Sequence, residues 1–228
     1  MTEHRAVRRL NRLSTPRAAA LAGVIFAVLF AVALILIRTA LPEHAEPGSQ
    51  WVTSATTRVH VAAVLMPFAG ISFLWFIGVV RDGFGRLEDK FFASVFMGSG
   101  LLFLAMTFVA TAVGEALVSG HAADSALPAG VATFGQMLLL TLSKTYALRM
   151  AAVFMISLAT IWLKTGLMPR WLVLITYAVA LALLAASELS MWITLAFPIW
   201  VLVVSLLLLF RAGVIDRDRD GHAPPGRH

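Results

Sequence analysis

An all-α, polytopic membrane protein is expected from this chain. The architecture would be a six-transmembrane-helix bundle with an extra outer amphipathic helix before span four. Hydrophobic residues fill 60% of the 228 positions and charged residues only 13%, whereas soluble domains are near a quarter charged. Mean hydropathy is +0.87. The apolar residues fall mostly in runs of about 20, the length that carries a helix across about 30 Å of hydrocarbon. Basic residues gather at the ends of those runs, as they do in helices that stop at a membrane surface.

The first span is expected over residues 18–37, which carry no charge. Arg5, Arg8, Arg9, Arg12 and Arg17 precede it in a basic arm, residues 1–17. A basic start before an apolar run also describes a signal peptide. This run exceeds the usual core of about 7–15 residues, and no small-residue cleavage site follows, so a retained span is expected. A polar stretch with Pro42, Pro47 and Gly48 leads to span two, residues 61–80. A turn mixing Arg81, Arg86 and Lys90 with Asp82, Glu88 and Asp89 precedes span three, residues 91–114. Its charges compensate one another; a docking surface for a cytoplasmic partner is the functional alternative.

The fourth region resists a simple division. Apolar residues run from Val131 to Leu163 but are broken by Lys144 and Arg149. The first part is about a dozen residues, too short to cross. Residues 131–143 are therefore expected as an outer amphipathic helix, with re-entrant or continuous paths as alternatives, and residues 145–163 as span four. Spans five and six are expected at residues 171–187 and 191–210. The polar tail, residues 211–228, has the composition of a disordered segment.

Orientation follows from the basic residues. With both termini cytoplasmic, fourteen of the eighteen Lys and Arg fall on inner segments, and only Arg38, Arg58, Lys144 and Arg149 on outer ones. That asymmetry is the positive-inside pattern. It places the chain in a cytoplasmic (inner) membrane as a multi-pass protein. Trp162, Trp171 and Trp192 sit at span ends, where aromatic belts form. The arginines of the arm suit anionic lipid head groups. No basic stripe with interleaved aromatics lies outside the spans, so nucleic acid is not an expected partner.

Two ionisable residues fall within apolar stretches. Arg149 lies about 22 Å above the inner boundary marked by Lys164, and Glu188 about 25 Å above that marked by Trp171, at 1.5 Å rise per residue. Charges at such depth are costly and usually face inward in pairs. Spans four and five should be antiparallel neighbours, so the two side chains are expected to meet. Arg58, His60, Glu115, Lys144 and Tyr146 lie near the same outer ends. The candidate polar cluster is therefore Arg58, His60, Glu115, Lys144, Tyr146, Arg149 and Glu188. The ordinary account is a structural ion pair with side chains snorkelling to water; the functional account is an outward-facing pocket or proton relay.

Other features favour packing. Ala19, Gly23, Ala27 and Ala31 recur every four residues on span one, and Ala178, Ala182 and Ala186 on span five. Small residues at that spacing let helices approach, within one chain or across a homo-oligomer seam. Pro67 and Pro198 each remove a backbone donor inside a span. Ser99, in Gly98-Ser99-Gly100, has no neighbouring base. Motifs for zinc proteases, serine hydrolases, phosphate loops and dinucleotide folds are missing. No catalytic residue, cofactor or metal is expected; His60, Glu115 and Glu188 lack ligand spacing. There is no Cys.

From Pro67-Phe68-Ala69-Gly70 through Trp75 to Arg81-Asp82, then Glu88-Asp89-Lys90-Phe91-Phe92-Ala93 and Gly98-Ser99-Gly100-Leu101, the chain resembles a family of uncharacterised bacterial multi-pass membrane proteins. The resemblance is closest over residues 58–103 and looser over 146–170. It implies a span-turn-span signature and no activity. The expected function is a non-enzymatic accessory or interaction subunit with a membrane-protein partner. A small transporter or channel using Arg149 and Glu188 is second, and an intramembrane enzyme third. Transport ranks lower because only Ser72, Ser94, Ser99 and Ser205 offer polarity in the inner halves of spans two, three and six.

Overall fold

The computed structural model describes residues 3–40, 50–82, 90–123, 128–186 and 191–220. Its elements are α1 (Glu3–Ala40), α2 (Gln50–Asp82), α3 (Lys90–Ala123), α4 (Ala129–Leu140), a π-helical turn (Thr141–Ala147), α5 (Leu148–Thr165), α6 (Arg170–Ala186), a 3-10 turn (Met191–Leu195) and α7 (Ala196–Asp220). Among the described residues there is no strand. Five helical stretches are long and apolar enough to cross a membrane: Ala20–Ala40, Thr56–Asp82, Lys90–Gly120, Gly130–Thr165 and Trp192–Phe210. A sixth apolar helix, Arg170–Ala185, is shorter.

The fourth region differs from the expected division. α4, the π turn and α5 follow one another without a break. Leu140, Thr141, Ala147 and Leu148 all hold right-handed helical dihedrals. Helical backbone thus runs on from α4 into α5, the continuous path among the alternatives. One lysine does not interrupt a backbone hydrogen-bond ladder, because its long stem can lead the charge aside. The π turn takes up an extra residue within the rod. From Gly130 to Thr165 the rod is about 54 Å long at 1.5 Å per residue. Of the polar tail, residues 211–220 continue α7 to Asp220, and residues 221–228 lie outside the described residues.

Neighbours are set by short connections. α1 packs chiefly on α2 and α7, α3 on α2 and α5, and α5 on α6. The turn between α5 and α6 is fixed locally. Gly166 adopts φ +65° and donates its amide to the Trp162 carbonyl at 2.9 Å. That left-handed cap ends α5 without a Cβ penalty. Pro169 then starts α6, accepting an amide from Leu172 at 3.0 Å.

The centre is aromatic. Phe73 of α2 is fully buried. Its ring centroid lies 4.5 Å from Phe26, 5.5 Å from Phe103, 5.3 Å from Phe154 and 5.9 Å from Phe197. α1, α2, α3, α5 and α7 thus meet on one ring. Phe96 stacks on Phe154 at 4.5 Å, and Trp200 meets Phe154 edge-on at 6.3 Å. Offset and edge-to-face pairs add about 0.5–1.5 kcal/mol each beyond area burial. The outside of the bundle is apolar as well. Trp75, Phe91, Phe134, Leu174 and Phe210 are exposed, a surface that water would disfavour.

Small residues set the close approaches. A Cβ on Gly23 would collide with Ser205 Oγ and with the Phe76 ring. The stripe on α1 is therefore spent within the chain at Gly23 and at buried Ala27. On α6, Ala178 and Ala182 are exposed instead.

Candidate functional site

One end of the bundle carries Arg38, Arg58, His60 and Glu115. α1 ends there, α2 begins there, α3 ends there, and α4 leads down from it. Arg38 is buried in the last turn of α1, with 5% of its surface exposed. Thr39 follows it. Arg58 of α2 reaches across and donates from Nη1 to the Thr39 carbonyl at 2.7 Å. The last carbonyls of a helix lack partners within it, and a cation there also offsets the helix dipole. Arg58 thus serves as a cap for α1.

His60 lies half a turn further along α2 and pairs with Glu115 of α3, Nδ1 to Oε1, at 2.9 Å. Ser119, one turn on, donates to the same oxygen at 3.3 Å. The second carboxylate oxygen, Oε2, is buried and has no hydrogen-bond partner among the described residues. His60 is 65% exposed at its side chain and Glu115 29%, so this pair sits at a boundary between packed and open surroundings.

The remaining cluster residues lie lower. Gly114 abuts Leu139, and Gly100 abuts Phe154, which fixes α3 antiparallel to the rod. Arg149 is ten residues past Leu139, so it lies about 15 Å below the level of Glu115 at helical rise. Lys144 and Tyr146 occupy the π turn between these heights, and Tyr146 is exposed. The structure joins His60 to Glu115 and directs Arg58 to α1. It therefore divides the expected cluster into tiers rather than one pocket. The reason is the continuous rod: with α4 running straight into α5, Lys144 and Arg149 sit one below the other, not beside the mouths of α2 and α3. Glu188 lies outside the described residues.

Sequence reasoning missed several polar contacts. The apolar run stops at Ile37, yet α1 continues through Arg38 to Ala40. Ser119 follows Glu115 by four residues, a spacing that could have flagged it. Deeper in the bundle, Thr160 and Tyr177 share a hydrogen bond of 2.7 Å between α5 and α6. Trp200 Nε1 donates to Thr176 Oγ1 at 3.0 Å between α7 and α6. No sequence motif marks either. Ser99, Thr107, Thr111 and Ser157 bond back to carbonyls three or four residues earlier in their own helices. Their hydroxyls are thereby satisfied locally.

At the opposite end, Arg81 Nη1 donates to Met97 Sδ at 2.9 Å, and Lys164 Nζ stands 4.4 Å over the Phe92 ring. An open apolar groove of about 490 Å³ runs between α1 and α2 toward that end. Among the described residues no three His, Cys, Asp or Glu side chains gather as metal ligands. No protein-family model matches the chain, and no curated protein or solved structure shows significant similarity to it.

Proposed function

We propose that the chain is a six-span protein of the bacterial inner membrane with both termini in the cytoplasm, akin to the uncharacterised family it resembles. Its role is that of a non-enzymatic accessory or interaction subunit. The observation that carries this reading is the aromatic centre. Phe26, Phe73, Phe103, Phe154 and Phe197 close the bundle where five helices meet, while His60, Glu115 and Arg58 stay at one end. A transport path needs polarity on both sides of the hydrocarbon. The apolar exterior supports residence in lipid, and the basic residue asymmetry supports the orientation.

The test is purification of the tagged chain from native membranes in mild detergent. A second membrane protein recovered in fixed ratio is expected. The chain recovered alone, monodisperse and stoichiometrically pure, overturns the accessory role.

A second reading is a small transporter or channel with an outward pocket at Arg149 and Glu188. The π turn at Thr141–Ala147 favours it, because single π turns within α-helices recur at functional sites. Solute flux into liposomes that depends on Arg149 would establish it; no flux of any tested ion would remove it.

A further inference from the structure

We propose that α6 is a hinged helix, which stays packed on α5 while it swings away from α7 and opens the bundle sideways. This rests on the six-span reading above and adds a moving part to it. The helices form a ring in the order α6, α5, α3, α2, α1 and α7, each packed closely on the next. The ring closes loosely, because α7 and α6, although consecutive in the chain, meet only lightly. Four residues separate Ala186 from Met191, so the chain itself ties the pair at that end. Local opening is easiest where an element makes few buried contacts. Leu174, Ile175 and Leu181 of α6 are exposed, so that face adds nothing to hold the helix in place.

A hydrogen bond fastens the seam away from the tied end. Thr176 lies ten residues before Ala186, about 15 Å along the helix. Its hydroxyl donates to the Leu172 carbonyl at 2.8 Å, which leaves an oxygen lone pair to accept Trp200 Nε1 at 3.0 Å. Trp200 does not depend on α6 for its position. Its ring centroid lies 6.2 Å from Trp162 and 6.3 Å from Phe154, both on α5, and 6.1 Å from Phe197 on its own helix. Withdrawal of α6 breaks the bond and uncovers one edge of an indole that stays in place.

The other side of α6 is held at the same height. Tyr177, next to Thr176 in the chain, shares its 2.7 Å hydrogen bond with Thr160 of α5. Adjacent residues thus bond to different helices. The α5 side combines that bond with close packing and forms the hinge. The α7 side has the bond to Trp200 across a lightly packed seam and forms the latch.

The chain has no Cys, so nitroxide labels can be placed in pairs. Full-length protein with Leu174→Cys and Phe210→Cys, both at exposed positions, reports the distance between α6 and α7. Leu174→Cys with Leu163→Cys reports that between α6 and α5. Both are labelled, reconstituted in lipid nanodiscs and measured by pulsed electron-spin resonance. Two distance populations are expected for the α6–α7 pair and one for the α6–α5 pair. A hydrogen bond between membrane helices shifts an equilibrium about threefold on average. Thr176→Val and Trp200→Phe should therefore each raise the ratio of the longer to the shorter population about threefold, and Tyr177→Phe should leave it unchanged. One narrow α6–α7 distance, unmoved by Thr176→Val, overturns the hinge and leaves the six spans intact. An equal rise from Tyr177→Phe also overturns it, since α6 would then be loose on both sides. A single long distance for both pairs puts α6 outside the bundle and overturns the six-span reading as well.

Discussion

Thr160 and Tyr177 share a hydrogen bond of 2.7 Å that locks α5 against α6 and sets their antiparallel register. Arg149 and Glu188 each lie eleven positions from that bond along the chain, in opposite directions. That equal spacing is the basis for expecting the two side chains to meet. Arg149→Ala and Glu188→Ala, singly and together, form a cycle whose coupling should be about 1 kcal/mol, within the 0.5–3 expected of contacting residues. The exchange Arg149→Glu with Glu188→Arg should recover most of the loss. Thermal unfolding in detergent reads both, and strictly additive losses would show that the two do not touch.

Gly23 and Ser205 make a sharper case. The space beside Gly23 is filled by Ser205 Oγ and Phe76, so Gly23→Ala should destabilise by about 1–3 kcal/mol through overpacking. Ser205 Oγ is buried with no hydrogen-bond partner among the described residues. Removing an unsatisfied buried hydroxyl is near neutral or stabilising, so Ser205→Ala should not lower stability. The double substitution should lose less than Gly23→Ala alone. Calorimetry or denaturant titration of the three variants decides it; an undisturbed Gly23→Ala would mean that α1 and α7 are less closely packed.

These two pairs mark what the sequence could and could not reveal. Gly23 stood out because a four-residue repeat of small side chains is visible along one helix. Its partner Ser205 did not, since nothing in a single apolar run says which helix will face it. His60 and Glu115 were legible together because both close an apolar run at the same end. The bond from Arg58 to Thr39 was not legible, since capping α1 depends on where α1 stops, and the run of apolar residues ends before the helix does. The π turn was illegible for a related reason. Lys144 interrupts hydropathy, and hydropathy was the only guide to continuity there, whereas the backbone ladder ignores it. The aromatic centre needs long-range contact among α1, α2, α3, α5 and α7, and periodicity within one helix carries no such information.

Phe73 should be the costliest single truncation. It meets rings from α1, α3, α5 and α7, and Phe→Ala in a packed core costs about 3–5 kcal/mol. Phe210, exposed on the outside of α7, should tolerate the same change with little loss. Parallel melting curves of Phe73→Ala and Phe210→Ala test the contrast. Similar losses would mean that the phenylalanine cluster does not organise the bundle.

The bond from Trp200 to Thr176 should contribute less than its burial suggests. Hydrogen bonds between membrane helices average about 0.6 kcal/mol and reach about 1.7. Thr176→Val leaves the Trp200 indole N–H without its acceptor, and Trp200→Phe removes the donor. Each should cost within that range plus the packing change, and the double variant should show positive coupling. A coupling near zero would assign the contact to packing alone.

The count of crossings turns on α6. Its apolar stretch, Arg170–Ala185, is shorter than the other five: its sixteen residues reach about 24 Å as a helix, less than the full hydrocarbon thickness. A short helix still crosses when the bilayer thins locally or flanking residues snorkel, at a cost of fractions of a kcal/mol per Å. The chain contains no Cys, so single cysteines report topology without background. With six crossings, cysteines introduced at Ser49, Ser125 and Ser190 should react with a membrane-impermeant thiol reagent in intact cells. Those at Thr2, Gly85 and His228 should react only after permeabilisation. If α6 stays on one side, the position after it changes sides: Ser190 becomes protected and His228 becomes labelled from outside. That single reversal would leave five crossings and would separate the basic arm from the basic tail.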